Sequence, residues 1–180
     1  MNTLRAAIGV TWVVFWVYWL LAAFGAKRGT GGWRRMPTRG VAAIAVFILV
    51  RILRRGSLVV SSPILGAIGA IVFVSGLLLA IWARLHLGRN WGMPMTQKEE
   101  PELVTSGPYR FVRHPIYSGL VLGIFGTALA TDLLGLIVAA VVTGYFYYAA
   151  SVEERNLAAT FPSAYPAYRA STKKLIPFVL

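Results

Sequence analysis

Residues 116–151 decide the fold, and they read IYSGLVLGIFGTALATDLLGLIVAAVVTGYFYYAAS. The only charged residue in this stretch is Asp132, which falls between two apolar runs. A helix crosses the hydrocarbon core of a bilayer, about 30 Å thick, with about 20 predominantly apolar residues. We therefore predict two membrane-spanning helices, at 116–131 and 133–151, which turn tightly at Asp132 and form a hairpin.

The rest of the chain has a similar composition. Of its 180 residues, 57% are hydrophobic and 13% are charged, whereas roughly 25% are charged in soluble domains. A soluble chain of this size would still expose about a third of its surface, so soluble globular, coiled-coil and disordered folds are excluded. Further apolar runs lie at 6–26, 40–53 and 58–82. The sequence predicts an all-α integral membrane protein with about five transmembrane helices.

The charge distribution predicts the orientation of these helices. A net charge of +12 would suggest nucleic-acid binding in a soluble protein, but here the basic residues flank apolar runs. With the N-terminus outside and the C-terminus inside, fourteen of the 18 Lys and Arg residues face the cytoplasm, as the positive-inside rule requires. We predict this topology and no nucleic-acid partner. The chain has no cysteine and two histidines, so no metal site is predicted.

Two polar segments interrupt the apolar pattern, both on the predicted cytoplasmic side. The first, 84–117, contains a turn at Gly107, then Arg113 and His114, and then Pro115 at a position suited to open a helix. A basic collar that binds lipid phosphates is one interpretation. However, a collar needs neither a histidine nor rigid Gly-Pro and His-Pro geometry. Three carboxylates of this segment are interpreted as a solvated loop face: Glu99, Glu100 and Glu102.

The second polar segment, 152–177, begins with Glu153 and Glu154 at the end of the fifth predicted span. Acidic groups at a helix C-terminus oppose the helix dipole and are costly to desolvate at a membrane boundary, although a solvated pair would be harmless. The predicted hairpin brings this pair near Arg113 and His114. One corner would then hold cations for a carboxylate and carboxylates for an ammonium or for ribose hydroxyls, which complements a nucleoside that carries an amino acid.

Two strings, LVTSGPYRFVRHPIYSG at 103–119 and EERNL at 153–157, occur in that order before a tyrosine-rich tail that ends in KLIP. Together they resemble the isoprenylcysteine carboxyl methyltransferase family, which is related to membrane phospholipid methyltransferases. The resemblance covers 82–177. It implies a membrane methyltransferase that uses S-adenosylmethionine, with a cytosolic cofactor pocket formed by the last two helices, the preceding loop and the C-terminal tail. The predicted division is a three-helix transmembrane region, 1–82, and a methyltransferase core, 83–180.

The resemblance also implies roles for individual residues. The predicted cofactor-binding residues are Val104, Gly107, Tyr109, Arg113, His114, Pro115, Tyr117, Gly119, Glu153 and Glu154. Glu154 and Arg84 are the predicted catalytic residues, and Glu154 or His114 would accept a proton if the acceptor were a phenol or an amine. Tyr165 and Tyr168 would help to close the tail over the pocket.

The methyl acceptor stays open among lipophilic carboxylates, hydroxyls and amines that could enter from the bilayer. Prenylcysteine enzymes carry an arginine shortly before the acidic pair, where this chain has Tyr147 and Tyr148, so a prenylcysteine substrate is in doubt. The sequence leaves two alternatives open. One is an NADPH-dependent reductase of the steroid and sterol type, which shares the Arg-His-Pro corner but usually has an acidic residue where Leu120 stands. The other is a non-enzymatic membrane scaffold.

The predicted location is the cytoplasmic membrane of a prokaryote, because 14 of the 18 basic residues are arginine and no organelle signal is evident. Membrane lipids are the expected surroundings. The oligomeric state is left open.

Overall fold

The computed structural model describes residues 2–25, 29–30, 58–92, 97–98 and 101–176. These residues contain five α-helices, which we label α1 (Asn2–Ala23), α2 (Pro63–Leu87), α3 (Pro115–Thr131), α4 (Gly135–Thr160) and α5 (Tyr165–Ser171). Two 3-10 turns lie at Gly88–Asn90 and Gly107–Arg110. A short antiparallel pair joins β1 (Gly29–Thr30) to β2 (Gln97–Lys98).

Three helices of the described residues are long and apolar enough to cross a membrane: Asn2–Ala23, Pro63–Asn90 and Gly135–Thr160. The shorter apolar helix α3 packs between them. The predicted helical membrane architecture is therefore confirmed at this level. The predicted span at 40–53 lies outside the described residues, so the total of five spans stays a prediction.

Helix α2 is displaced along the chain from the predicted span at 58–82. It begins at Pro63, which needs no amide partner in the first turn, and the Ser62 side chain accepts a hydrogen bond from the Leu65 amide at 3.3 Å. It ends where Gly88 adopts a positive φ of 53°. Residues 58–60 are not helical, and the Val60 amide instead donates to the Thr131 carbonyl at 3.1 Å.

Helix α4 continues to Thr160, so the predicted end at residue 151 is wrong. The extra residues are mostly good helix formers. The helix stops at Phe161, whose φ of −123° and ψ of 62° are non-helical, as expected for a residue before a proline. Glu153 and Glu154 consequently lie about two turns before the helix end. The predicted conflict between this acidic pair and the helix dipole does not arise, because the dipole acts mainly in the last turn.

Helices α2 and α3 pack backbone to backbone through glycines spaced seven residues apart. A Cβ atom on Gly76 would lie 2.5 Å from the Gly123 amide nitrogen and 2.6 Å from the Gly119 carbonyl oxygen, and one on Gly119 would lie 2.6 Å from the Ala80 nitrogen. Gly69 and Gly126 are equally crowded by the opposite backbone. Gly123, one helical turn after Gly119, differs from it, because a Cβ on Gly123 would meet the side chains of Leu77 and Trp12 at 3.3 Å.

Contacts at both ends of the bundle show that α1 runs parallel to α2. Near the start of each helix, the Arg5 guanidinium donates to the carbonyl oxygens of Val60 and Thr131, at 3.2 and 3.4 Å. Near the end of each, Arg84 donates to the Ala22 carbonyl at 2.6 Å. The two helices therefore begin at the same end of the bundle and finish together at the opposite end. The predicted domain boundary at residue 82 falls inside α2, and that division stays a prediction.

Candidate functional site

A cavity of about 470 Å³ lies where α2 ends and α3 begins, within the volume range of small-molecule pockets. Its walls come from residues 87–92, 101–104 and 109–117, from the extension of α4 and from α5. Six predicted cofactor-binding residues line it: Val104, Tyr109, Arg113, His114, Tyr117 and Glu153. The fold thus brings together residues that are up to 49 positions apart in the sequence.

The turn before α3 places Tyr109 in the cavity wall. Gly107 has a φ of 58°, and a Cβ there would overlap the His86 ring, so a glycine suits this position. Pro108 and Tyr109 follow and are buried. The Tyr168 hydroxyl donates to the Tyr109 carbonyl at 2.8 Å, which ties α5 to the turn. Burial raises the pKa of both tyrosines, so both hydroxyls stay protonated at neutral pH.

A buried ion cluster adjoins the cavity, with the Glu154 carboxylate at its centre; Arg113 and His114 belong to both the cluster and the cavity lining. Arg113 Nε donates to Glu154 Oε1 at 2.7 Å, Lys174 Nζ lies 3.6 Å from Oε2, and His114 Nε2 lies 3.5 Å from Oε1. Arg113 also donates to the Thr172 carbonyl. The predicted proximity of the Arg113-His114 end of α3 and the acidic pair is confirmed.

The neighbouring carboxylate, Glu153, faces the cavity. It accepts a hydrogen bond from the Tyr117 hydroxyl at 2.5 Å and lies 3.4 Å from His114 Nδ1. The Tyr117 ring stacks against the rings of His114 and Phe146, with centroid distances of 5.5 and 4.4 Å. Burial lowers the pKa of His114, but hydrogen bonds and charge from Glu153 and Glu154 outweigh it and raise the pKa above 6.5. The imidazole is therefore biased towards its charged form.

The C-terminal tail is part of the site. The amides of Arg113 and His114 donate to the carbonyls of Lys173 and Lys174, at 2.8 and 3.1 Å. Lys174 Nζ also donates to Ser151 Oγ at 2.9 Å and lies 4.4 Å from the centre of the Tyr147 ring. In the stretch shortly before the acidic pair, this chain therefore has an aromatic ring, that of Tyr147, under a lysine from the tail.

Tyr165 and Tyr168, which were predicted to close the tail, have different environments. Tyr165 is almost completely buried, and burial, together with the Glu154 charge, raises its pKa to about 12. Tyr168 lines the cavity.

The remaining predicted residues lie outside the cavity lining. The Arg84 guanidinium donates hydrogen bonds to the carbonyl oxygens of Ala22 and Gly88, both at 2.6 Å. It also lies 4.7 Å from the centre of the Trp91 ring, and Trp91 itself lines the cavity. Pro115 is buried at the start of α3, and Gly119 lies in the contact with α2. The roles predicted for these residues, and for all the other predicted site residues, stay predictions.

Several lining residues were not predicted as site residues: Leu87, Asn90, Gly92, Pro101, Glu102, Leu103, Ile116, Asn156, Leu157 and Thr160. Those on α4 follow Glu153 at helical spacing, which would have identified them had the helix been extended past 151. Glu102 is exposed, as predicted, but it also lines the cavity and accepts from the Asn90 amide at 3.1 Å. Glu99 and Glu100 lie outside the described residues. No group of three potential metal ligands occurs in the described ranges.

These features define a class: a helical integral membrane protein with a ligand-sized ionic cavity at one end of its bundle. A profile of the phospholipid methyltransferase family matches residues 64–164, which is more than half of the chain. The chain belongs to the phospholipid methyltransferase family. The match includes α2, α3, the ion cluster except for its tail residues, and α4.

Individual relatives agree with this assignment. The chain is 36% identical over 78 residues to methanethiol S-methyltransferase 1 of Bradyrhizobium diazoefficiens, covering 43% of this chain and 27% of the relative. It is 30% identical over 115 residues to protein-S-isoprenylcysteine O-methyltransferase B of Arabidopsis thaliana, covering 62% and 58% respectively. The chain therefore spans less than two thirds of the length of either relative.

A solved structure shares the fold. The eukaryotic intramembrane Ras methyltransferase ICMT, an isoprenylcysteine carboxyl methyltransferase, matches with a TM-score of 0.61 and 25% identity over 81% of this chain and 54% of that one. The resemblance to this family is thus confirmed, and the comparisons support a membrane methyltransferase.

Proposed function

We propose that this protein transfers a methyl group from S-adenosylmethionine to a lipophilic acceptor in the membrane. The observation that carries the proposal is the cavity at the end of the membrane-spanning helices. The Glu153 carboxylate and the His114 imidazole, which is biased towards its charged form, line this cavity beside apolar side chains. S-adenosylmethionine has an ammonium group, a carboxylate and a nucleoside. The cavity offers a carboxylate for the ammonium group, an imidazole for the carboxylate, and apolar and aromatic side chains for the nucleoside.

We assign the binding roles as follows. Glu153 would hold the ammonium group, and His114 would donate to the carboxylate. Val104 and Tyr109 would border the nucleoside. When bound, S-adenosylmethionine supplies a methyl group already activated by a positively charged sulfur. The residues therefore bind and orient the reactants, and such positioning is worth up to about 7–11 kcal/mol in well-aligned systems.

Glu154 and Arg84 are better suited to positioning than to contact with the methyl donor. Glu154 is surrounded by Arg113, His114 and Lys174, so its carboxylate is held in place and is a poor proton acceptor. Arg84 fixes the end of α1 to the end of α2 and supports Trp91. This proposal modifies the catalytic roles predicted for these two residues from the sequence.

The acceptor would approach from the bilayer. Leu87 at the end of α2 and Ile116 at the start of α3 give the cavity apolar walls, and exposed apolar side chains cover the adjacent helix surface. A lipid-like carboxylate, hydroxyl or amine could reach the methyl donor there without leaving the membrane. The class of acceptor is part of the proposal.

The proposed topology places this cavity in the cytoplasm of a prokaryote and the N-terminus outside. Arg84, Arg113 and Lys174 share the cavity end, which agrees with the positive-inside rule. The absence of cysteine allows a direct test with single cysteines at the exposed positions Ala170 and Ser61. An impermeant thiol reagent added to intact cells should label Ser61→Cys and leave Ala170→Cys unlabelled. The opposite pattern would contradict the topology.

Binding is tested by calorimetry on the purified protein in nanodiscs, with S-adenosylmethionine, S-adenosylhomocysteine and NADPH. We expect the two adenosyl ligands to bind and NADPH not to bind. Glu153→Gln should lower the binding affinity for both adenosyl ligands at least tenfold. Arg155→Gln, at an exposed position on the same helix, should have no effect on either affinity. Wild-type protein that binds neither adenosyl ligand would refute the proposal. Incubation with methyl-labelled S-adenosylmethionine and host lipid extract then identifies the product.

A further inference from the structure

The extension of α4 presents one continuous face to the cavity. Glu153, Asn156, Leu157 and Thr160 all line it, and their spacing of three, four and seven residues places them on the same side of a helix. From Glu153 to Thr160 this face extends about 10 Å along the helix axis. A ligand held at Glu153 can therefore lie along the face towards Thr160.

The hydrogen-bonding groups on this face differ in their availability. Glu153 is engaged by Tyr117 and His114, and the Thr160 hydroxyl donates to the Asn156 carbonyl at 2.9 Å. The Asn156 side chain is half-buried and makes no hydrogen bond within the described part of the chain. Its amide offers two donor hydrogens and one acceptor oxygen. Asn156 is therefore the neutral polar group of this face that is most available to a ligand.

We propose that Asn156 recognises the adenine base of the methyl donor and so determines which nucleoside the cavity accepts. An asparagine amide and the edge of adenine match as a bidentate pair, because the oxygen accepts from the 6-amino group while the nitrogen donates to a ring nitrogen. Leu157, the next residue on this face, and Val104 across the cavity supply apolar surface for the ring. The inference rests on the proposed function and names the base-reading residue of that site.

The test combines one change in the protein with one change in the ligand. S-adenosylhomocysteine is compared with its analogue whose purine lacks the 6-amino group, by calorimetry in nanodiscs. Wild-type protein should prefer the amino ligand about tenfold, since a good bidentate pair gives roughly that discrimination. Asn156→Ala should bind both ligands equally and about as weakly as wild-type protein binds the analogue.

Two further variants act as controls. Asn156→Asp retains an acceptor for the 6-amino group, so it should keep a preference for S-adenosylhomocysteine even if its overall affinity changes. Arg155→Ala, at the exposed neighbouring position, should behave as wild type. Thermal unfolding of each variant verifies that it is folded. Asn156→Leu, which keeps the side-chain volume and removes both polar atoms, serves as the test if Asn156→Ala does not fold, and it should bind both ligands equally.

The outcomes separate the two proposals. If wild-type protein binds neither ligand, the proposed function fails and this inference falls with it. If wild-type protein binds but Asn156→Ala keeps the tenfold preference, or does not change affinity, Asn156 does not read the base and only this inference is overturned.

Discussion

The α2–α3 contact and the ion cluster at the cavity stabilise the same bundle by opposite means. The contact lacks side chains where it is closest, so Gly76 and Gly119 bring two backbones together. The ion cluster consists of long charged side chains, with Glu154 bound by cations from the start of α3 and from the tail. The α2–α3 contact needs only two helices with matching glycines. The ion cluster needs the start of α3, helix α4 and the tail to be positioned together.

The difference shows how a hydrophobic protein can hold a polar site. Small residues allow close helix packing in membranes, where the driving force is van der Waals contact. That contact fixes the start of α3, and with it Arg113 and His114, next to α4. The attraction within a buried ion pair is largely offset by the cost of desolvating its charges. The ion cluster therefore does not itself hold the helices in place, and its geometry depends on the α2–α3 contact. Disruption of the contact should therefore have the larger effect.

The largest expected effect is that of Gly76→Leu. The added side chain would collide with the backbone of α3, which cannot move aside as a flexible side chain can. The two helices would have to separate along their contact, so the cost exceeds the about 1–3 kcal/mol of ordinary core overpacking. We expect no monodisperse protein in size-exclusion chromatography. Gly144→Leu is the matched control, because nothing lies within 4 Å of a Cβ at that position. If Gly76→Leu and Gly144→Leu gave the same chromatographic profile, the α2–α3 contact would not be what holds the bundle together.

Glu154→Gln should have the second largest effect. It leaves Arg113 and Lys174 buried without their carboxylate, and the loss of one partner of a buried pair costs about 3–5 kcal/mol. We expect a clear decrease of the melting temperature in detergent, measured by intrinsic fluorescence. The isosteric change should not affect membrane insertion. Arg155→Gln, exposed on the same helix, should melt as wild type, and a Glu154→Gln variant that does the same would show that the cluster is solvated.

The pH dependence of stability should be smaller and should depend on His114. Burial alone would lower the pKa of His114, but Glu153 and Glu154 raise it above 6.5 in the folded state. The stabilisation from the charged imidazole is then complete below about pH 6.5, the unfolded value, and is lost as the pH rises through the folded pKa. The melting temperatures of wild type and His114→Gln should differ most at low pH and converge as the pH rises. A difference that grows with pH would contradict the assignment.

Tyr168→Phe should have the smallest effect. It removes the hydrogen bond to the Tyr109 carbonyl and keeps the ring, and such a bond contributes about 0.5–1.5 kcal/mol. We expect a slightly lower melting temperature together with weaker binding of S-adenosylhomocysteine, because α5 is less firmly held over the cavity. Tyr147→Phe, which keeps the ring under Lys174, serves as the control. A loss of stability as large as that of Glu154→Gln would invalidate the ranking.

The predictions from sequence succeeded where one pattern sufficed and failed where two signals competed. The apolar run before Asp132 located α3 almost to the residue. Helix α2 was misplaced because residues 58–62 are apolar enough to continue the span, whereas Pro63 determines the start. Helix α4 was cut short because its charged extension ended the hydropathy signal but not the helix. That error concealed Asn156 and Thr160.

The sequence by itself determined that the chain enters a membrane as helices, that an acidic pair and an Arg-His pair flank one hairpin, and that the chain resembles a methyltransferase family. Only the tertiary structure separated the two glutamates. Adjacent residues on a helix point about 100° apart, so Glu153 faces the cavity while Glu154 faces Arg113 and the tail. Lys174 reaches Glu154 from twenty residues further along the chain. No local pattern specifies that approach, because it depends on how α3 and the tail pack together.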